Sequence, residues 1–170
     1  MKLRTNRNPV AQETFKVLGT DIHVCETEDT RAHIIDGNCE GGETVYSRIY
    51  PLKQNEVTKS VVDSKHSLFL TTMIIGDRFW NQLSPEVRAV IKDAAIKAGR
   101  AERQKTIEDG EEAKTKLIAE GVNIVELTPE EKAEWQEKTQ VVYEKFTPTF
   151  TPGLIDRIKE QATSVLSNKK

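Results

Sequence analysis

Arg4 stands in the opening stretch MKLRTNRNPV, inside a short segment that reads as a β-strand. A guanidinium offers five N–H donors in a rigid planar fork, and its paired donors fit the two oxygens of a carboxylate. A closed, low-dielectric cleft strengthens such a pair and makes an unpartnered arginine costly. By its chemistry alone, Arg4 is either a group that recognises an anion or a surface cation beside some glutamate. A second stretch with chemical capacity is EGGET, Glu40 to Thr44, where two carboxylates and a hydroxyl flank a glycine pair. A strand, a glycine pair and a helix start make a ligand-facing corner in many α/β proteins.

The thiols and imidazoles form no recognisable pattern. Cys25 and Cys39 have no CxxC spacing, and His23, His33 and His66 form no HExxH motif, so neither a metal site nor a cofactor is expected. The cysteines read as half-buried thiols or as a disulfide formed in an oxidising compartment. Cys39, His66 and Glu40 could be drawn as a thiol triad, but no motif fixes their proximity, and the chain is not expected to be an enzyme.

Composition narrows the partners. With 25 Lys+Arg against 27 Asp+Glu, the formal charge is -2, which argues against nucleic acid and against an anionic membrane surface. No apolar run approaches the roughly 18 residues of a spanning helix, so no direct membrane insertion is expected. The N-terminus lacks the apolar core of a secretory signal, so the chain as written is expected to carry no export address.

These residues need elements to hold them. The pattern predicts a strand over Lys2–Thr5 and a helix from Pro9 to Leu18, capped by Asn8 and stopped by Gly19. A strand at Ile22–Val24 follows, then a helix from about Thr27 that ends at Gly37. A tiny strand over Asn38–Glu40 then leads through the Gly41-Gly42 turn into a helix that stops near Pro51. Ser60–Ile75 is the longest β-like stretch, interrupted at Lys65-His66-Ser67, as in a strand that changes sheets. Ser84-Pro85-Glu86 opens a helix that continues to about Glu120. About 35 residues at 1.5 Å each would span some 50 Å, and a polar middle between apolar ends suits a helix that bridges two packed regions. VNIVEL is a strand, TPEE a capping box, and two helices follow, the first through Trp135, Val142, Tyr143 and Phe146. Strands alternating with helices predict an α/β fold.

In KLRTNRNPV, GGETVYSRIYPLKQNEV, HSLFLTTMIIGDRFWNQLSPEVRAVIKDAA and AEGVNIVELTPEEKAEWQ, the chain resembles one family nearly throughout. These stretches are similar to the solute-binding proteins of tripartite ATP-independent periplasmic (TRAP) transporters, the dicarboxylate-binding DctP type, and only to their C-terminal half. The resemblance implies a periplasmic-binding-protein-like, class II-type clamshell of two α/β lobes with a long helix spanning both. Residues 1–65 would be part of the second, ligand-binding lobe. Residues 66–170 would supply crossing strands, the long helix and C-terminal helices that contribute to the first lobe and the hinge.

The same resemblance assigns roles. Arg4 matches the arginine that pairs with the ligand carboxylate. Asn8 sits where a loop approaches the ligand, although helix capping alone would account for it. Thr27 stands where an aromatic is common against the ligand. Glu43 resembles a structural glutamate, and Thr44 a polar ligand contact where Asn is common. His66 lies at the lobe crossing, as a hinge residue or a ligand contact. The implied function is capture of a small organic acid in the periplasm and its delivery to the TRAP membrane subunits. A helical interaction or oligomerising fragment that binds nothing is the alternative. The family's first lobe and export signal are missing from this sequence, which suggests a truncated reading frame, an excised piece or part of a split gene. Strand edges and apolar helix faces left uncovered would then promote self-association.

Overall fold

A computed structural model describes residues 1–167. Five strands and eight α-helices alternate along them: β1 (Lys2–Thr5), α1 (Pro9–Val17), β2 (Asp21–Val24), α2 (Thr30–Ile35), β3 (Gly41–Gly42), α3 (Tyr46–Ile49), β4 (Ser60–Asp63), α4 (Asp77–Trp80), α5 (Pro85–Ala119), β5 (Asn123–Glu126), α6 (Pro129–Lys138), α7 (Gln140–Phe146) and α8 (Leu154–Ser167). They group into two compact units, Met1–Glu43 with Leu127–Lys170, and Thr44–Glu126. The division at 65/66 expected from the resemblance falls inside the second of these, since it assigned lobes of a whole receptor; those lobes remain a proposal.

The first unit is built on a parallel sheet in the order β2-β1-β3. β1 is central, with Arg4 opposite His23 on one side and Gly42 on the other. The edge strand lies later than the expected Asn38–Glu40. Glu40 already joins β1 through its amide, which donates to the Lys2 carbonyl at 2.8 Å. The ladder then runs through the two glycines: a Cβ on Gly41 would stand 2.8 Å from Cε of the exposed Met1, which can move aside, whereas one on Gly42 would stand 3.0 Å from Cγ2 of the buried Thr30. Local chemistry sets the helix ends. Asn8 Oδ1 accepts from the Val10 amide at 2.9 Å to start α1, and Thr128 and Glu131 form a reciprocal capping box at α6. The expected single helix from Trp135 to Phe146 is broken at Thr139, whose hydroxyl turns back to the Trp135 carbonyl at 2.8 Å.

The second unit is a β4–α5–β5 crossover with the two strands parallel, Ser60 to Asp63 against Asn123 to Glu126. Its apolar centre is Ile49, Leu117 and Val122, with Tyr46, Tyr50, Val61 and Ile124 packed around them. α5 is one 35-residue helix, capped by Ser84, and residues 101–108 in its polar middle are exposed. The expected strand from Ser60 to Ile75 ends at Asp63. Residues 64–76 form no regular element and 65–75 are exposed. β-branched and aromatic residues make a strand only where a neighbour pairs with them. Here none of the described strands does, and Lys65 turns away with a positive φ of 49°.

Candidate functional site

The middle strand of the first unit carries a charge into its interior. Leu3, Arg4 and Thr5 are all buried, and Arg4 is only 1% exposed. Its guanidinium is held by neutral oxygens. Nε donates to the Cys25 carbonyl at 2.9 Å, Nη1 to the Glu43 carbonyl at 3.2 Å, and Nη2 to Thr27 Oγ1 at 2.9 Å. β2 ends one residue before Cys25, and a single 3-10 turn over Thr27–Asp29 precedes α2, so the chain wraps the arginine head as it leaves the sheet. On the opposite side β3 brings Glu43 alongside, and the Glu43 amide donates to the Arg4 carbonyl at 3.2 Å.

Three bonds leave two of the five guanidinium N–H groups, one on each terminal nitrogen. One N–H on each terminal nitrogen is the pair of donors that a carboxylate's two oxygens can accept. Among the described residues no carboxylate is a partner of Arg4. A buried cation with neutral acceptors alone carries an uncompensated desolvation cost.

Close packing supports that geometry. Gly42 lies against the arginine stem, where a Cβ would be 3.3 Å from Arg4 Cβ and 3.4 Å from Arg4 Cδ. Thr30 is buried next to it, and its hydroxyl has no hydrogen-bond partner. Cys39 is a buried free thiol. Burial pushes its pKa up, the neighbouring Cys25 adds to the shift, and the Arg4 charge opposes it. Cys25 is also free in this structure.

Of the six expected site residues, the structure brings together Arg4, Thr27 and Glu43. Thr27 supplies a hydroxyl and Glu43 a main-chain carbonyl, so each positions the arginine. Asn8 is exposed and its side chain is the cap of α1. Thr44 and His66 are exposed and belong to the second unit, where His66 Nδ1 lies 2.8 Å from Ser64 Oγ. Cys39 and Glu40 lie in the first unit and His66 in the second. An open recess of about 560 Å³ beside α1 and α7, with Gln12, Glu13, Asp21, Lys145 and Phe146 in its wall, contains none of the six. Sequence reasoning missed Thr30, and it missed the Cys25 carbonyl, which no side chain announces. It also did not foresee that His23 and His33 meet, with Nε2 of one 2.8 Å from Nδ1 of the other. Burial holds the His23 imidazole below its ordinary range, and His33 and Lys2 add to this.

Residues 1–149 match the model of the DctP family, bacterial extracellular solute-binding protein family 7. The chain belongs to that family. It is 27% identical over 163 residues to the C4-dicarboxylate-binding protein DctB of Bacillus subtilis, an alignment of 93% of this chain and 45% of the relative. It is 26% identical to the ectoine-binding periplasmic protein TeaA of Halomonas elongata, over 99% of this chain and 51% of that one. Among solved structures, a TRAP periplasmic solute-binding protein of Fusobacterium nucleatum with bound sn-glycerol-3-phosphate superposes with a TM-score of 0.86 at 27% identity, covering 99% of this chain and 53% of that one. The DctP-family chain thus spans about half the length of the curated relatives it matches. Its α/β architecture is that of the TRAP solute-binding proteins, and the family is one of transport components rather than enzymes. No described helix is long and apolar enough to cross a membrane.

Proposed function

We propose that the protein captures a small organic acid, a dicarboxylate or related carboxylate, in the periplasm and delivers it to the membrane subunits of a TRAP transporter. The observation that carries this reading is Arg4, buried at 1% exposure, with three neutral partners and one further N–H on each terminal nitrogen. An incoming carboxylate supplies the missing counter-charge and accepts the two remaining N–H groups. Periplasmic relatives that bind C4-dicarboxylates support the choice of ligand class and compartment. Thr27 and Thr44 are small hydroxyl side chains where the family resemblance has bulkier or amide groups. They favour a short hydroxy-, keto- or dicarboxylate over a large sugar acid. Glu43 acts structurally in this reading, and His66 at a hinge.

A thermal-shift panel tests it. Short acids such as succinate and malate should raise the melting temperature in a concentration-dependent way and be recovered unchanged, because a ligand that binds only the folded state stabilises it. Preference for glucuronate over every short acid would reject the specificity, and no response to any carboxylate would reject the function.

The exposed run from Leu68 to Ile75 adds a proposal about association. Leu68, Leu70 and Ile74 are 79%, 75% and 90% exposed. A contiguous apolar patch of this kind seeks cover, and in a solution of the chain alone the available cover is a second copy. Size-exclusion chromatography with light scattering should show self-association that Leu70→Lys with Ile74→Lys reduces; a monomer at all concentrations would rule it out.

A further inference from the structure

Three side chains of metal-ligating type meet in the first unit, away from any motif. His23 and His33 face each other with ring centroids 4.8 Å apart. Their converging nitrogens and Cys25 Sγ all lie within 4.8 Å of one another. The fold produces this convergence from distant positions. His23 and Cys25 are two residues apart along an extended segment, the Cys25 amide continuing the ladder by donating to the Thr5 carbonyl at 3.4 Å, so their side chains share a face. His33 comes from the last turn of α2, which folds back beside β2. Its carbonyl is fixed there by the amides of Asn38 at 2.8 Å and Cys39 at 3.3 Å. All three ligand residues are half-buried.

We propose that His23, Cys25 and His33 bind a thiophilic divalent ion of the zinc class, with three protein ligands and one position open. Two imidazoles and a thiolate suit zinc and its neighbours, whereas magnesium and calcium take oxygen ligands. The distances are close to what coordination needs. Bonds of about 2.0–2.1 Å to nitrogen and about 2.3 Å to sulfur in a tetrahedron place the nitrogens about 3.3 Å apart and nitrogen and sulfur about 3.6 Å apart. The nitrogens therefore open slightly from their 2.8 Å hydrogen bond, and the sulfur closes by roughly 1 Å from at most 4.8 Å, a movement within reach of a rotation at Cys25. On binding, the thiol releases its proton to solvent. The proton shared between the rings is displaced, leaving His23 neutral with its proton on Nδ1 and His33 neutral with its proton on Nε2. Because the Cys25 carbonyl holds Arg4 Nε, a bound ion also braces the segment that orients the arginine. The metal proposal itself stands independently of which solute Arg4 binds.

Cobalt titration of the reduced chain tests the site, since cobalt substitutes for zinc and reports its ligands by absorption. One equivalent should bind with the visible bands of a four-coordinate ion and a thiolate-to-cobalt charge-transfer band, and zinc should displace it. Cys25→Ser should abolish the charge-transfer band, while Cys39→Ser keeps it. His33→Gln should weaken cobalt binding by more than the roughly 10–100-fold that loss of an outer-shell partner brings. A measurement on the unmutated chain guards against misfolded variants: zinc should slow alkylation of Cys25, mapped by mass spectrometry. Absence of a thiolate band in the unmutated chain, a band that survives Cys25→Ser, or a Cys25 alkylated equally fast with zinc would each overturn the site.

Discussion

In the second unit Lys114 donates to Asp63 Oδ2 at 2.9 Å and to Glu126 Oε1 at 3.2 Å, joining the ends of β4 and β5 to α5. In the first unit Arg4 is more deeply buried and meets two carbonyls and a hydroxyl, with no acid among its partners. The hydrogen bond it donates to Asp63, then that to Glu126, holds the Lys114 ammonium above its ordinary range. Lys114 therefore spends its charge inside the fold, as a clasp between strand ends. Arg4 has no such acidic partner among the described residues. The contrast offers a criterion that needs no motif for telling a structural cation from the recognising one proposed above: whether the fold itself supplies the counter-ion.

The largest expected effect tests that criterion directly. Arg4→Ala should lose about 2–5 kcal/mol of carboxylate binding, as truncating one partner of a buried charge pair does. At about 1.4 kcal/mol per factor of ten, calorimetry should then read at least an order of magnitude in affinity. Lys114→Ala should do the reverse. It leaves Asp63, whose side chain is 9% exposed, with only the exposed Lys65 ammonium at 4.0 Å, so the melting temperature falls while the increment added by a short acid stays the same. If Lys114→Ala abolished the increment and Arg4→Ala preserved it, the roles assigned to the two cations would have to be exchanged.

How much of this was legible in the sequence follows the range of the interactions. Asn8, Ser84 and the Thr128–Glu131 box act within three residues, and the helices they start lie where the pattern put them. The KLRT strand and its arginine were legible because the surrounding stretch resembles a family. The run from Ser60 to Ile75 misled because residue types state a preference for strand but not whether a neighbour exists to pair with. The acceptors of Arg4 were out of reach, since two are main-chain carbonyls set by the turn after β2 and by β3. The meeting of His23, Cys25 and His33 was equally hidden: it depends on α2 returning beside β2, which no spacing rule encodes.

A smaller effect sharpens the comparison through the packing around the arginine. Gly42→Ala puts a methyl group 3.0 Å from Thr30 Cγ2 and 3.3 Å from Arg4 Cβ, both in the buried centre of the first unit. Overpacking of this kind costs about 1–3 kcal/mol. The same displacement tilts the guanidinium, so carboxylate affinity should fall along with stability. Urea unfolding followed by calorimetry on the surviving folded protein measures both. Unchanged stability and affinity would mean that β3 does not lie this close to Arg4.

The smallest expected effect is the same substitution with the opposite sign. Gly110 lies inside α5, where a Cβ would meet nothing nearer than Tyr46 Cβ at 4.0 Å, an ordinary contact. With room available, the result is decided by the unfolded chain, which loses conformational freedom when glycine becomes alanine, and by the better helix propensity of alanine. Gly110→Ala should therefore stabilise the protein by about 0.4–1 kcal/mol, read as a higher urea midpoint with an unaltered slope. Carboxylate affinity should be unmoved. A loss of stability instead would show that α5 is not a continuous helix at this point or that Tyr46 packs on it more tightly than 4.0 Å, and would remove the sharpest contrast between a unit built around one buried charge and a unit built around a long exposed helix.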